Sequence, residues 1–228
     1  IDKKDWPKHR SAQFILLVEN LKSLYSSFDR LVKGFYEDSF ILARSNYEAF
    51  IKTIFISCYP EDPYACITNR KNKNGIKLNL TNFLKQDLQL KWTDYSIFSS
   101  YSHANQYPVL IKAIEIQREG QKEAIALSFK FDKKLFEMGI NQLKFLLFVN
   151  MKMIVTFFVS NHKNTLIEKM FEKAKRLIYL GEQSMLFHQK EYWPMVYKDT
   201  DDILKMMERA EKGENWKEAW KNIRNRTI

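Results

Sequence analysis

The sequence predicts a mainly α fold, a helical bundle with a small β-hairpin inserted near residues 110–131. Three observations carry that expectation. Apolar residues recur at helical spacing through most of the chain, only six Gly and five Pro interrupt 228 residues, and the period shortens to two in one region, after Pro108. A hydrophobic share of 45% suffices to bury a substantial core. The expected organisation is a core over residues 1–195 and a helical tail over 196–228 that packs on the core or on a partner.

The first helix is expected over Ser11 to Lys33, where Phe14, Leu17, Val18, Leu21, Leu24, Tyr25, Phe28 and Leu31 are helically spaced and Gly34 ends the run. A second runs from about Phe35 to Cys58, because Pro60 and Pro63 forbid its continuation. So short a hinge makes the two an antiparallel hairpin. Residues 60–79 mix Pro, Asn and a basic run and read as an exposed connection. Short helices follow over about Thr81 to Leu90 and Asp94 to Ala104, with Thr81 and Asp94 as N-caps. Ile114 and Ile116, then Ile125, Leu127, Phe129 and Phe131, alternate with polar or small residues on either side of Gly120, which gives the hairpin its two arms. Asp132 caps a long helix to about Asn161, apolar nearly all round and therefore central. An amphipathic helix over about Thr165 to Lys190 is ended by Trp193 and Pro194. Asp199 to Thr200 then begin two short polar helices reaching about Lys212 and Arg224, anchored by Trp216 and Trp220 one helical turn apart.

The formal charge of +10 raises the question of a nucleic-acid partner, since a basic surface gains by releasing counterions from phosphates. The excess is spread thinly, however, and solvated basic faces are the simpler account of most of it. Arg70, Lys71 and Lys73 form one local concentration and are the candidate nucleic-acid contacts; Lys169 to Arg176 forms another. Two cysteines, Cys58 and Cys66, cannot make a disulfide scaffold, and no Cys/His spacing suggests zinc. No metal or cofactor is expected, and a reducing cytoplasm fits. Residues 140–159 have the length of a membrane span, but Lys144, Asn150 and Lys152 interrupt them, so a buried helix and no membrane are expected. Gly-rich phosphate loops, dinucleotide fingerprints and calcium-binding loops are absent from the sequence.

Chemistry concentrates in two helical polar clusters. On the second helix Phe40, Ile41, Arg44, Glu48, Ile51 and Phe55 fall on one face, placing a guanidinium and a carboxylate side by side among large apolar groups. Such a pair either fixes the packing or presents a rigid guanidinium to an anion, whose planar donors suit phosphate. Farther on, Ser96, Ser99 and His103 share one side of a helix, and His103 has the pKa range of a general acid or base. A helix-capping role is the plainer alternative. Ser99 lacks the strand-to-helix elbow of a triad nucleophile.

LARSNYEAFIKTIF followed by YSIFSSYSHAN resembles a family of uncharacterised bacterial helical proteins, in which an Arg-x-x-x-Glu helix precedes one ending in Ser-x-x-x-His. The similarity spans about residues 10–160 and rests on Arg44, Glu48, Ser99 and His103. That family is distantly similar to the HEPN domains, many of which are metal-independent ribonucleases or RNA-binding modules of toxin–antitoxin and antiphage systems. HEPN nucleases carry an Arg shortly before the catalytic His; here Ser96, Ile97 and Phe98 hold that spacing. The resemblance implies an RNA-binding or RNA-processing domain, with Arg44 standing in for the absent Arg. The alternative is a non-catalytic interaction domain, paired with another protein or a second copy, in which both clusters are structural.

Overall fold

The computed structural model describes residues 7–90, 131–159 and 192–225, together with the helical positions Lys169, Lys173 and Arg176. These residues are mainly helical, and no strand occurs among them. The expected β-hairpin lies outside them except for its last residue, Phe131, which is exposed and non-helical. The helices expected over 94–104 and 165–190 likewise lie outside, apart from the three isolated positions.

Helix α1 spans Lys8–Val32 and α2 spans Tyr36–Cys58. The hinge closes as the sequence predicts: Gly34 takes φ +81°, a conformation that a side chain disfavours. Phe35 N–H returns to the Arg30 carbonyl at 2.9 Å and Gly34 N–H to Leu31 at 3.1 Å, satisfying the last turn. The two helices run antiparallel, and a ladder of buried polar side chains joins them. Ser27 Oγ donates to the Ser39 carbonyl at 2.7 Å, Asn46 Nδ2 to the Asn20 carbonyl at 2.6 Å, and Gln13 Nε2 to the Thr53 carbonyl at 3.2 Å. Each rung lies seven residues from the next on both helices, the step at which facing positions recur along paired helices. All six residues are at most 2% exposed.

A short helix α3, Pro63–Ile67, and a turn follow α2; α4, Leu80–Asn82, then runs into a π-helical turn over Phe83–Asp87. Its cap is Asn79 and not Thr81, since Asn79 Oδ1 accepts the Asn82 N–H at 3.1 Å. Asn and Thr both suit that position, and the cap falls two residues earlier than expected.

Helix α5, Lys133–Met153, begins as predicted, with Asp132 Oδ1 accepting the Leu135 N–H at 2.9 Å. It continues as a π-helical stretch over Ile154–Val159. Asp132 N–H also donates to the Tyr36 hydroxyl at 2.9 Å, tying the start of α5 to the start of α2. Close approach to α1 needs Gly139: a Cβ there would stand 2.4 Å from Leu31 Cδ1. Farther along, Asn150 completes the middle rung of the ladder. It donates to Asn46 Oδ1 at 3.0 Å and to the Leu146 carbonyl at 2.7 Å, and accepts from Asn20 Nδ2 at 3.2 Å. Among the described residues, the one helical segment long and apolar enough to cross a membrane is Leu135–Phe157. It buries Leu146, Val149, Asn150 and Met153 against α1 and α2, and Lys152 pairs with Asp201 at 2.9 Å.

Helices α6, Tyr192–Glu211, and α7, Trp216–Asn225, complete the described chain. Trp193 and Pro194 stand in the first turn of α6, where proline's missing N–H would have had no intrahelical partner; the helix they are expected to end lies outside the described residues. Asp199 and Thr200, expected to open a polar helix, are buried inside α6. Gly213 at φ +89° ends α6, and Asn215 Oδ1 caps α7 by accepting the Lys217 N–H at 3.0 Å. Trp216 meets Tyr59 and Phe83 edge-on at 5.8 and 5.9 Å, and Trp220 is 6% exposed, so α7 docks on the end of α2.

Two stability measurements test this account. Asn150→Ala orphans partners on two other helices and is expected to lower the urea-unfolding free energy by about 2–4 kcal/mol. Gln142, whose amide nitrogen and oxygen are both buried without a hydrogen-bond partner among the described residues, behaves oppositely: Gln142→Met is expected to stabilise by about 1 kcal/mol in the same melts.

Candidate functional site

Arg44 and Glu48 meet as the helical spacing requires. Arg44 Nε donates to Glu48 Oε1 at 2.8 Å, with the side chains 19% and 27% exposed. Their expected neighbours divide. Phe40, Ile51 and Phe55 are core residues, whereas Ile41 is 43% exposed. The pair therefore sits on the boundary between core and surface and not within the core. Both side chains have further interactions beyond this bond. Their strength belongs between the few tenths of a kcal/mol of an exposed helical pair and the several of a sealed one. Ser99 and His103 lie outside the described residues.

The basic run is held on a structured turn. Asn72 is 6% exposed and organises it: its Nδ2 donates to Glu61 Oε1 at 2.9 Å, while its Oδ1 accepts the N–H groups of Asn74 at 3.0 Å and Ile76 at 2.8 Å. Asn74 Nδ2 reaches the same Glu61 oxygen at 2.9 Å. Backbone bonds from Asn72 N–H to Ile76 and from Gly75 N–H to Asn72, both 2.9 Å, close the turn with Gly75 at φ +75°. Arg70, Lys71 and Lys73 are all exposed, and Arg70 faces Asp62 at 3.6 Å. Neighbouring Cys66 packs on α2, its thiol 3.9 Å from the Lys52 carbonyl.

Two ionic clusters escaped the sequence reading. At the start of α1, Arg10 pairs with Glu211 on α6, bonds Gln13 Oε1 at 3.2 Å and lies over the Phe157 ring at 4.5 Å. Gln13 Nε2 in turn donates to Ser57 Oγ at 2.6 Å. Burial draws both ions toward neutrality despite their contact: it lowers the Arg10 pKa and raises that of Glu211. Burial, then the charge of Arg10, also lowers the His9 pKa. At the other cluster Arg224 on α7 pairs with buried Asp199 and lies 3.8 Å from Asp202. Each cluster joins two helices, Arg10 and Glu211 across 201 residues and Arg224 and Asp199 across 25, and the residues on each helix alone read as ordinary surface charges.

Comparison of the chain with protein-family models, curated proteins and solved structures finds no match. The chemistry must therefore be read from the residues themselves. Among the described residues no group of three His, Cys, Asp or Glu could hold a metal ion. The thiols are poor nucleophiles: Cys58 and Cys66 are free and buried, and burial pushes the Cys66 pKa up to about 12 and raises that of Cys58 well above its ordinary value. What the described surface offers is a guanidinium braced by a carboxylate and a set of exposed cations on a hydrogen-bonded turn.

A double-mutant cycle on Arg44 and Glu48 is expected to return a coupling of about 1 kcal/mol, between the exposed and sealed limits. The folded state binds the Glu211 proton more readily than the unfolded chain does. Stability from its protonated form is therefore full below the unfolded pKa and is lost as pH rises through the raised folded one. Measured against Glu211→Gln, the wild-type protein should lose unfolding free energy as pH climbs through that window; parallel pH profiles would show an unshifted carboxyl.

Proposed function

We propose that the chain is an RNA-binding or RNA-processing domain of the HEPN-like kind, from a bacterial defence or toxin–antitoxin type system. In this reading the helices form a bundle carrying the β-hairpin near residues 110–131. The observation that carries it is the Arg44–Glu48 pair, whose guanidinium is fixed through Nε at 2.8 Å yet remains 19% exposed at the edge of the core. A cation held in this way suits a phosphate better than a mobile surface Arg, because its ordering precedes binding. The braced Arg70, Lys71 and Lys73 add a sequence-independent hold on a phosphate backbone.

In the catalytic form of this proposal, His103 moves protons while Arg44 stabilises the charge that develops on the phosphate, Glu48 holding Arg44 in place. Ser99, expected from the sequence on the same helix side as His103, positions the same group in this proposal. A ribose 2′-hydroxyl attacks the adjacent phosphorus, the 5′-oxygen leaves with a proton, and a cyclic phosphate remains. The second reading, a non-catalytic interaction or dimerisation domain, draws on Ser96, Ile97 and Phe98 standing where HEPN nucleases have Arg.

Purified protein is expected to cleave RNA in the presence of EDTA, with cyclic-phosphate ends detected by mass spectrometry and a loss of at least about 100-fold in His103→Ala. Full activity in that variant excludes the mechanism. A lowered melting temperature in Arg44→Ala, with RNA binding undetectable in the wild-type protein, would favour the interaction domain.

A further inference from the structure

We propose that the turn between α3 and α4, with Tyr64 beside it, grips single-stranded RNA: Tyr64 stacks a base while Arg70, Lys71 and Lys73 follow the phosphates. This deepens the RNA reading above and rests on it.

The turn is already ordered. Its centre is the buried Asn72 side chain, whose three hydrogen bonds replace those that solvent would give to a flexible loop. Asn69 at φ +56° and the bond from Arg70 N–H to the Ala65 carbonyl at 3.0 Å set the direction in which the basic residues leave α3. With the backbone fixed and Asn72 turned inward, the exposed Arg70, Lys71 and Lys73 remain for a ligand. Binding then orders side chains only, which preserves more of the gross attraction.

The nearby acids are engaged. Glu61 Oε1 accepts the amide N–H groups of Asn72 and Asn74, which fixes that carboxylate in place with its charge intact, and Asp62 is offset by Arg70 at 3.6 Å. Asp62 also places Arg70 against the first turn of α3, where Tyr64 is the second residue. Tyr64 keeps 39% of its surface exposed. An aromatic face beside a braced cationic track is the arrangement that holds unpaired strands, because every base offers a π-face and every linkage a charge. A duplex hides its base faces and could use only the cations.

The test is fluorescence anisotropy with a labelled oligouridylate and with an RNA duplex of equal phosphate number. The wild-type protein should prefer the single strand by about tenfold, and Tyr64→Leu should lose about tenfold on the single strand alone, while Tyr64→Phe retains affinity. The slope of log affinity against log salt should be about −2 for three neutralised phosphates, and Lys71→Gln should reduce its magnitude by about 0.7. Tight single-strand binding that Tyr64→Leu leaves unchanged overturns this inference and leaves the RNA reading standing. Absence of binding to either RNA overturns the RNA reading, and the inference with it.

Discussion

The hydrogen bonds between Asn20, Asn46 and Asn150 hold the rest of the structure in register. Three helices, two joined by the short hinge and the third carrying its amide 104 residues beyond Asn46, contribute one amide each, all three are sealed from solvent, and each amide has a partner on another helix. Leu, Ile and Phe would pack these helices in several nearly equivalent alignments; a buried amide accepts only one, because a slip leaves it unsatisfied. The rungs above and below, Ser27 with Ser39 and Gln13 with Thr53, repeat the demand at each heptad. This alignment decides where the charged pair lies. Arg44 and Glu48 flank Asn46 by two residues on either side, about 200° of rotation away, so sealing Asn46 against α1 and α5 turns them toward the opposite flank of α2.

The periphery is fastened differently. Arg10 with Glu211, Lys152 with Asp201, and Arg224 with Asp199 each join two different helices, consecutive ones in the last case, while Trp216 fills the space between Tyr59 and Phe83. At the first of these, burial moves both partners toward their neutral forms, so desolvation outweighs mutual attraction. Such contacts specify where a helix docks more than they stabilise it. Net stabilisation of α7 comes from its indoles, each of which removes a large apolar area from water.

Much of the helical frame was legible because its causes are local. Apolar periodicity marked α1 and α2, Gly34 marked the hinge, and Asp132 marked the start of α5. The Arg44–Glu48 contact was legible for the same reason, since four residues on a helix bring two side chains together whatever surrounds them. The polar ladder was not read, although Gln13, Asn20 and Ser27 and then Ser39, Asn46 and Thr53 repeat at seven in plain view. Small neutral residues amid Leu and Phe look like gaps in a stripe until a partner is known, and the partner of Asn20 lies 130 residues away. Whether Arg44 meets His103 depends on long-range packing that local spacing does not encode.

The ladder also constrains how such a chain can vary in length. Adding one residue within α1 between Gln13 and Ser27 would rotate every rung on one side of the insertion by about 100°, turning amides away from their partners. A balanced change of seven residues in both arms would preserve the match, and additions in the hinge beyond the last rung leave it untouched. Relatives of this hairpin should therefore differ by whole heptads inside the helices and by any number at the turn, a quantised drift imposed by three amides.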